Sequence, residues 1–133
     1  MIQHVVLINF RHGVPEATRR ECVARLRELA TLVPGLSNWR VGTNLTTMTR
    51  AWDMSLIGEF ASLADVAAYR DHPAHRDAQQ FVDAYAAETI GIDFDPEIPA
   101  TATPTEDASG CHTRRAARAA GEHQYHLDRA RRQ

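Results

Sequence analysis

Ile2-Gln3-His4-Val5-Val6-Leu7-Ile8-Asn9-Phe10 is the stretch on which the fold turns. Strand side chains alternate between faces, so Ile2, His4, Val6, Ile8 and Phe10 share one face and Val5 and Leu7 the other. Both faces carry large apolar groups, and both therefore need cover. The periodicity then changes. Within residues 16–33, Cys22, Val23, Leu26, Leu29, Ala30 and Val33 fall at helical spacing, with Arg19, Arg20, Arg25, Arg27 and Glu28 largely outside that stripe. Pro34-Gly35 ends the helix. Cys22 lies on the stripe, where a thiol packs as a small apolar group.

Working outward, a second strand is expected near Leu36–Leu45, where Trp39 and Val41 share a face, followed by a polar connection, Thr46 to Arg50. A third spans Trp52–Phe60, with Trp52, Met54, Leu56 and Phe60 alternating against Asp53, Ser55 and Glu59. Ser62-Leu63-Ala64-Asp65 is a variant capping box for a helix through about Asp71. Pro73 opens another helix, Ala74 to about Glu88, with Phe81, Val82 and Tyr85 facing inward, and Ile90, Ile92 and Phe94 make a closing strand. The order β-α-β-β-α-β is that of a ferredoxin-like α+β protomer, an antiparallel sheet with helices on one face. The doubly apolar first strand requires the second face to be hidden as well. The economical solution is a homodimer whose two sheets pair into a barrel.

The chain has 133 residues, about one domain's worth. All 15 of its basic Lys and Arg side chains are arginine, which excludes a Schiff-base or P-loop lysine. Cys22 and Cys111 stand far apart, giving neither a disulfide framework nor a zinc site. No apolar run is long enough to span a membrane, and the opening residues lack the pattern of a signal peptide, so a cytoplasmic location is expected. Residues 1–97 hold 9 Arg against 13 acids, whereas residues 98–133 hold 6 Arg against 4 acids, and after Pro99 only Tyr125 and Leu127 are large apolar side chains. The first segment reads as the domain, the second as a tail that is disordered or partly helical. Arg114, Arg115, Arg118, Arg129, Arg131 and Arg132 read as a solvated tail in preference to a nucleic-acid arm, because the tail has one aromatic and the body is acidic. His112, His123 and His126 lack the acid or thiol pattern of a metal site, and no metal or cofactor is expected.

Three features bear on chemistry. His4 stands between Ile2 and Val6 on one strand face, either as a core histidine or as a functional one. Tyr69-Arg70-Asp71-His72-Pro73-Ala74-His75 breaks a helix at Pro73 and gathers a phenol and two imidazoles, either as a helix junction with capping side chains or as a site. Asp93 lies between Ile92 and Phe94, where a carboxylate needs solvent or a specific partner.

Met1-Ile2-Gln3-His4-Val5-Val6-Leu7, Pro34-Gly35, Val41-Gly42-Thr43-Asn44 and above all Tyr69 with His72-Pro73-Ala74-His75 resemble the stress-responsive dimeric α/β-barrel (Dabb) family, over about residues 1–97. The resemblance implies a ferredoxin-like protomer, a dimer that closes a barrel, and a small-molecule ligand. The family includes a plant polyketide cyclase, olivetolic acid cyclase, and on that pattern His75 is the catalytic base. Tyr69, His4 and Asp93 match its other site positions. A poly-β-keto thioester has methylene protons acidic enough for a neutral imidazole to remove without a cofactor. In this reading Asp93 fixes the far nitrogen of His75, Tyr69 donates to the carbonyl oxygen where charge develops, and His4 orients substrate or completes the network. His72, Val6, Ile8, Trp39, Met54 and Leu56 are the expected substrate contacts. The alternatives are a non-catalytic stress-responsive dimer, with a small cavity filled by Trp and Phe, and a cofactor-free oxygenase. A cavity of ~300 Å³ or more converging on His75 and Tyr69 favours ligand chemistry.

Overall fold

The structure, a computed structural model, describes residues 1–99. Its elements are β1 (Ile2–Phe10), α1 (Glu16–Leu32), β2 (Ser37–Thr43), β3 (Met54–Phe60), α2 (Leu63–Asp71), α3 (Pro73–Asp83) and β4 (Ala86–Phe94). This is the ferredoxin-like β-α-β-β-α-β order, its second helical segment divided at His72. The four strands form one antiparallel sheet in the order β2-β3-β1-β4. β1 is therefore a central strand, which is why neither of its faces is polar. Met1–Ile98 makes one compact unit. The arginine and histidine clusters expected in the tail, and Cys111, lie outside the described residues.

Local chemistry sets the boundaries. α1 ends where Val33 turns extended, its N–H donating to the Leu29 carbonyl, and Gly35 follows at φ 87°, a left-handed conformation that favours glycine. Ser62 caps α2, its Oγ accepting from the Asp65 N–H at 3.2 Å. The residue before a proline is driven out of helical conformation, and His72 is accordingly extended, with φ −65° and ψ 134°. One residue thus ends α2 and begins α3.

The sequence predicts a helix to about Glu88 and a strand from Ile90. The structure instead ends α3 at Asp83 and begins β4 at Ala86. Pairing overrides the helix propensity of these residues: Asn9 and Phe10 at the end of β1 take Glu88 and Ala86 as partners. A turn in which the Tyr85 N–H donates to the Val82 carbonyl makes the reversal.

The helices cover one face of the sheet. Beneath them lie Ile2, Ile8, Phe10, Val41, Met54, Leu56 and Phe60, packed with Cys22, Val23, Leu26 and Leu29 of α1, Val66 and Tyr69 of α2, and Ala78 and Val82 of α3. Of the three inward candidates on the last helix, Val82 is buried, while Phe81 and Tyr85 pack partly buried at its border. Burial pushes the Cys22 thiol pKa up, as suits a packing thiol and not a reactive one. On the other face Val5 sits between Ile57 and Ile92, and Leu7 between Ser55 and Ile90. Ile92 and Phe94 there are 57% and 42% exposed. No helix among the described residues is long and apolar enough to cross a membrane.

Candidate active site

A single row of residues crosses the covered face of the sheet. His4 of β1 pairs with Gly58 of β3 on one side and with Asp93 of β4 on the other. Beyond Gly58 the β2–β3 ladder has a bulge: Ser37 faces Glu59 and Arg40 faces Ile57, so Asn38 and Trp39 together oppose Gly58. Asn38 absorbs the extra residue at φ 48°, a conformation asparagine tolerates better than most. The Trp39 ring then lies over Gly58, where a Cβ would stand 2.2 Å and 2.5 Å from its Cε3 and Cζ3 atoms. Only glycine fits beneath it. The Trp39 indole N–H donates to the Leu26 carbonyl at 2.9 Å, and its ring runs parallel to His4 at 6.3 Å between centroids.

Around His4 the rings close in. Phe60 and Tyr69 each meet it edge-on at 5.6 Å, Trp39 meets Tyr69 at 5.5 Å, and Phe60 meets Tyr69 at 5.3 Å. Such pairs contribute ~0.5–1.5 kcal/mol each beyond their buried area. His75 follows on the outer side of Tyr69, with ring centroids 4.2 Å apart. The structure thus brings His4, Tyr69, His75, Asp93 and Trp39 into one constellation.

The hydrogen bonds correct one expected role. Asp93 does not hold the far nitrogen of His75. The register places it beside His4, whose Nδ1–H donates to Asp93 Oδ1 at 2.5 Å, while Arg70 donates to Asp93 Oδ2 at 2.8 Å. His75 instead donates its Nδ1–H to the Arg70 backbone carbonyl at 3.1 Å. A carbonyl only accepts, so this bond fixes the tautomer and leaves the lone pair on Nε2.

The electrostatics agree with that protonation pattern. Burial pushes the His75 pKa below the ordinary imidazole value, reinforced by the charges of His4 and Arg70 and opposed by the Arg70 carbonyl bond and by Asp83. Burial also raises Tyr69 strongly, so its phenol keeps its proton. For Asp93 burial acts upward, but the His4 hydrogen bond with the charges of His4 and Arg70 outweighs it, and the carboxyl lies below its usual range.

The other expected contacts fare differently. His72 caps α3, its Nδ1 accepting from the Ala74 N–H at 3.1 Å, so that ring nitrogen serves the helix junction. Ile8, Met54 and Leu56 are 2–3% exposed and belong to the packed core, because the helices close over them; Val6 packs against that core. A shallow hollow of about 610 Å³ opens elsewhere, on the uncovered side of the sheet. It is bordered by Leu7, Arg40, Trp52, Ser55 and Ile57 and reaches Met54, but not Tyr69 or His75. Phe60, Gly58 and Arg70 are site residues that sequence reasoning missed. From sequence Phe60 reads only as an alternating strand position, Gly58 falls unnamed within the expected strand Trp52–Phe60, and Arg70 lies inside the motif without a role. Among the described residues no group of three or more His, Cys, Asp or Glu could hold a metal ion.

Known proteins share this architecture. A dimeric ferredoxin-like protein of unknown function from Thermobifida fusca is 24% identical, with a TM-score of 0.65, covering 70% of this chain and 88% of its own. A dimeric protein of the same fold from Bacteroides fragilis is 23% identical at a TM-score of 0.65, covering 71% and 94%. The hydroxynitrile lyase of Passiflora edulis is 16% identical at a TM-score of 0.65, covering 74% and 96%. At these identities the likeness is one of fold. No curated protein matches the sequence. Residues 2–96 match the model of the stress responsive A/B barrel domain, and the chain belongs to that family.

Proposed function

We propose that this protein is a homodimer through its uncovered sheet faces and a cofactor-free acid–base catalyst acting on a small, apolar keto-type molecule. The specific reaction we infer is an aldol cyclisation of a poly-β-keto thioester. One observation carries the reading: His75 is a half-buried imidazole kept neutral by its surroundings, its tautomer set by the Arg70 carbonyl, in ring contact with a phenol that stays protonated. In that state Nε2 of His75 takes a proton from a methylene between two carbonyls, and the electron pair moves onto a carbonyl oxygen as an enolate. The Tyr69 hydroxyl donates to that oxygen, the kind of interaction whose removal costs ~2.7–4 kcal/mol of barrier. The enolate carbon then bonds to a distant carbonyl carbon of the same chain, and the imidazolium returns its proton to the new alkoxide. His4 and Asp93, paired with each other, hold the inner wall against which Tyr69 rests.

The dimer rests on the exposed Ile92 and Phe94 beside Val5 and Leu7, and on the dimeric state of the Thermobifida and Bacteroides proteins. A second reading, a non-catalytic stress-responsive dimer, is favoured by the way Trp39 and Phe60 fill the space around His4. His75→Ala separates the two. The catalytic reading expects turnover of a poly-β-keto thioester analogue to fall by about 10²–10⁴. The melting temperature should move by less than ~5 °C, since a rim imidazole has few packing contacts. Retained turnover with a large loss of folding stability would hand the protein to the structural reading.

A further inference from the structure

Arg70 touches both halves of the site. Its backbone carbonyl accepts the Nδ1–H of His75 at 3.1 Å, and its guanidinium donates to Asp93 Oδ2 at 2.8 Å, while Asp93 Oδ1 takes the Nδ1–H of His4. The guanidinium is about half exposed, whereas the Asp93 and His4 side chains are 18% and 8% exposed. α2 packs on β3 and α3, and the Arg70 side chain carries it across to β4 at the sheet edge. A carboxylate bonded through both oxygens cannot rotate, and these charge-assisted bonds are the stronger kind.

We propose that Arg70 is the positioning residue of this site: its side chain locks Asp93 against His4 while its main chain locks His75, so that one residue holds the two imidazoles in a fixed relation. This rests on the acid–base reading given above. The two halves are separable by mutation, because a side-chain substitution leaves the carbonyl, and with it the His75 tautomer, in place. The groups facing His75 are Tyr69 and Arg70 from α2, His4 from β1 and Asp83 from α3, with Asp93 of β4 beyond Arg70 and His4. Arg70 carries the fixed positive charge among them. Loss of the guanidinium therefore makes His75 easier to protonate.

The test uses the full-length protein and the variants Arg70→Gln and Arg70→Lys, with nitrogen-resolved NMR of the histidine rings across pH and no substrate present. In Arg70→Gln the His4 Nδ1–H resonance should weaken or vanish, and the His75 titration midpoint should rise by roughly half a pH unit. Turnover of the thioester analogue should fall roughly tenfold through kcat, with KM little changed. Arg70→Lys should recover the His75 midpoint but only part of the His4 signal, since an ammonium restores the charge without the planar fork. An unaltered His4 resonance together with an unaltered His75 midpoint in Arg70→Gln overturns the proposal, whatever happens to the melting temperature. Should Arg70→Gln fail to fold, an undiminished His4 resonance in Arg70→Lys overturns it equally. Because the ring signals are read without turnover, failure of the acid–base reading under His75→Ala is a separate result.

Discussion

The two faces of this sheet are built from the same strands and do opposite things. On the covered face the even-numbered residues of β1 meet the helices, and the row Trp39, Gly58, His4 and Asp93 is closed by Phe60 and Tyr69. On the other face Val5 and Leu7 join Ile57, Ile90 and Ile92 in an apolar surface that the described residues leave uncovered. One face has its rings packed on one another, and on the other the described residues leave the apolar groups open. The contrast teaches that the proposed chemistry and the proposed assembly are divided by the two-residue period of a strand. A slip of one residue would exchange them, so the register of β1 specifies both at once.

The largest effect should come from breaking the uncovered face. Val5→Asp places a carboxylate between Ile57 and Ile92, where a dimer interface would strip it of water without a partner. We expect the dimer dissociation constant to rise by roughly a thousandfold or more, about 4 kcal/mol, with sedimentation changing from dimer to monomer at micromolar concentration. A variant that sediments as the wild type removes this face from the assembly. The covered face is broken differently. Gly58→Ala puts a methyl group into the Trp39 ring, and that ring is held by its bond to the Leu26 carbonyl. The cost should be about 2 kcal/mol, a fall of roughly 10 °C in melting temperature, with the dimer intact. Combining it with Trp39→Ala should give less than the sum of the two losses, which a double-mutant cycle reads directly.

How much of this was legible in the sequence follows from the same division. The alternation of β1, the helical stripe of α1, the capping box at Ser62 and the break at Pro73 are local signals, and the structure reproduces them. Tyr69, His75, His4 and Asp93 were legible as a set because of their types and the family pattern. Their pairing was not. That Asp93 meets His4 depends on the β1–β4 register, a relation across 89 positions that no local pattern carries. The partner of His75 is a backbone carbonyl, and side-chain identity says nothing about that. The end of α3 differs from the sequence expectation for the same reason, since residues with helix propensity are claimed by β1 as pairing partners.

The smallest effect, and the one that best resolves the site within the covered face, is the dependence of stability on pH. His75 has a folded pKa below its ordinary value of 6.5, so in the interval below 6.5 the unfolded chain binds the proton more readily than the fold. Stability should therefore decline as the pH falls from about 7 through that interval. Asp93 also has a lowered folded pKa, against an ordinary value of 3.8. Its contribution is fully present above the unfolded value and is lost as the pH falls from about 4 through the folded value. Two successive losses result, one from each half of the site. Melting temperatures measured between pH 8 and pH 3 should show both. His75→Asn should flatten the upper loss and leave the lower, and Asp93→Asn should do the reverse. If Asp93→Asn flattened the upper loss as strongly as His75→Asn does, the carboxylate would be acting on His75 and not on His4. The row across the sheet would then be wired as the family resemblance implies, with Asp93 on the far nitrogen of His75.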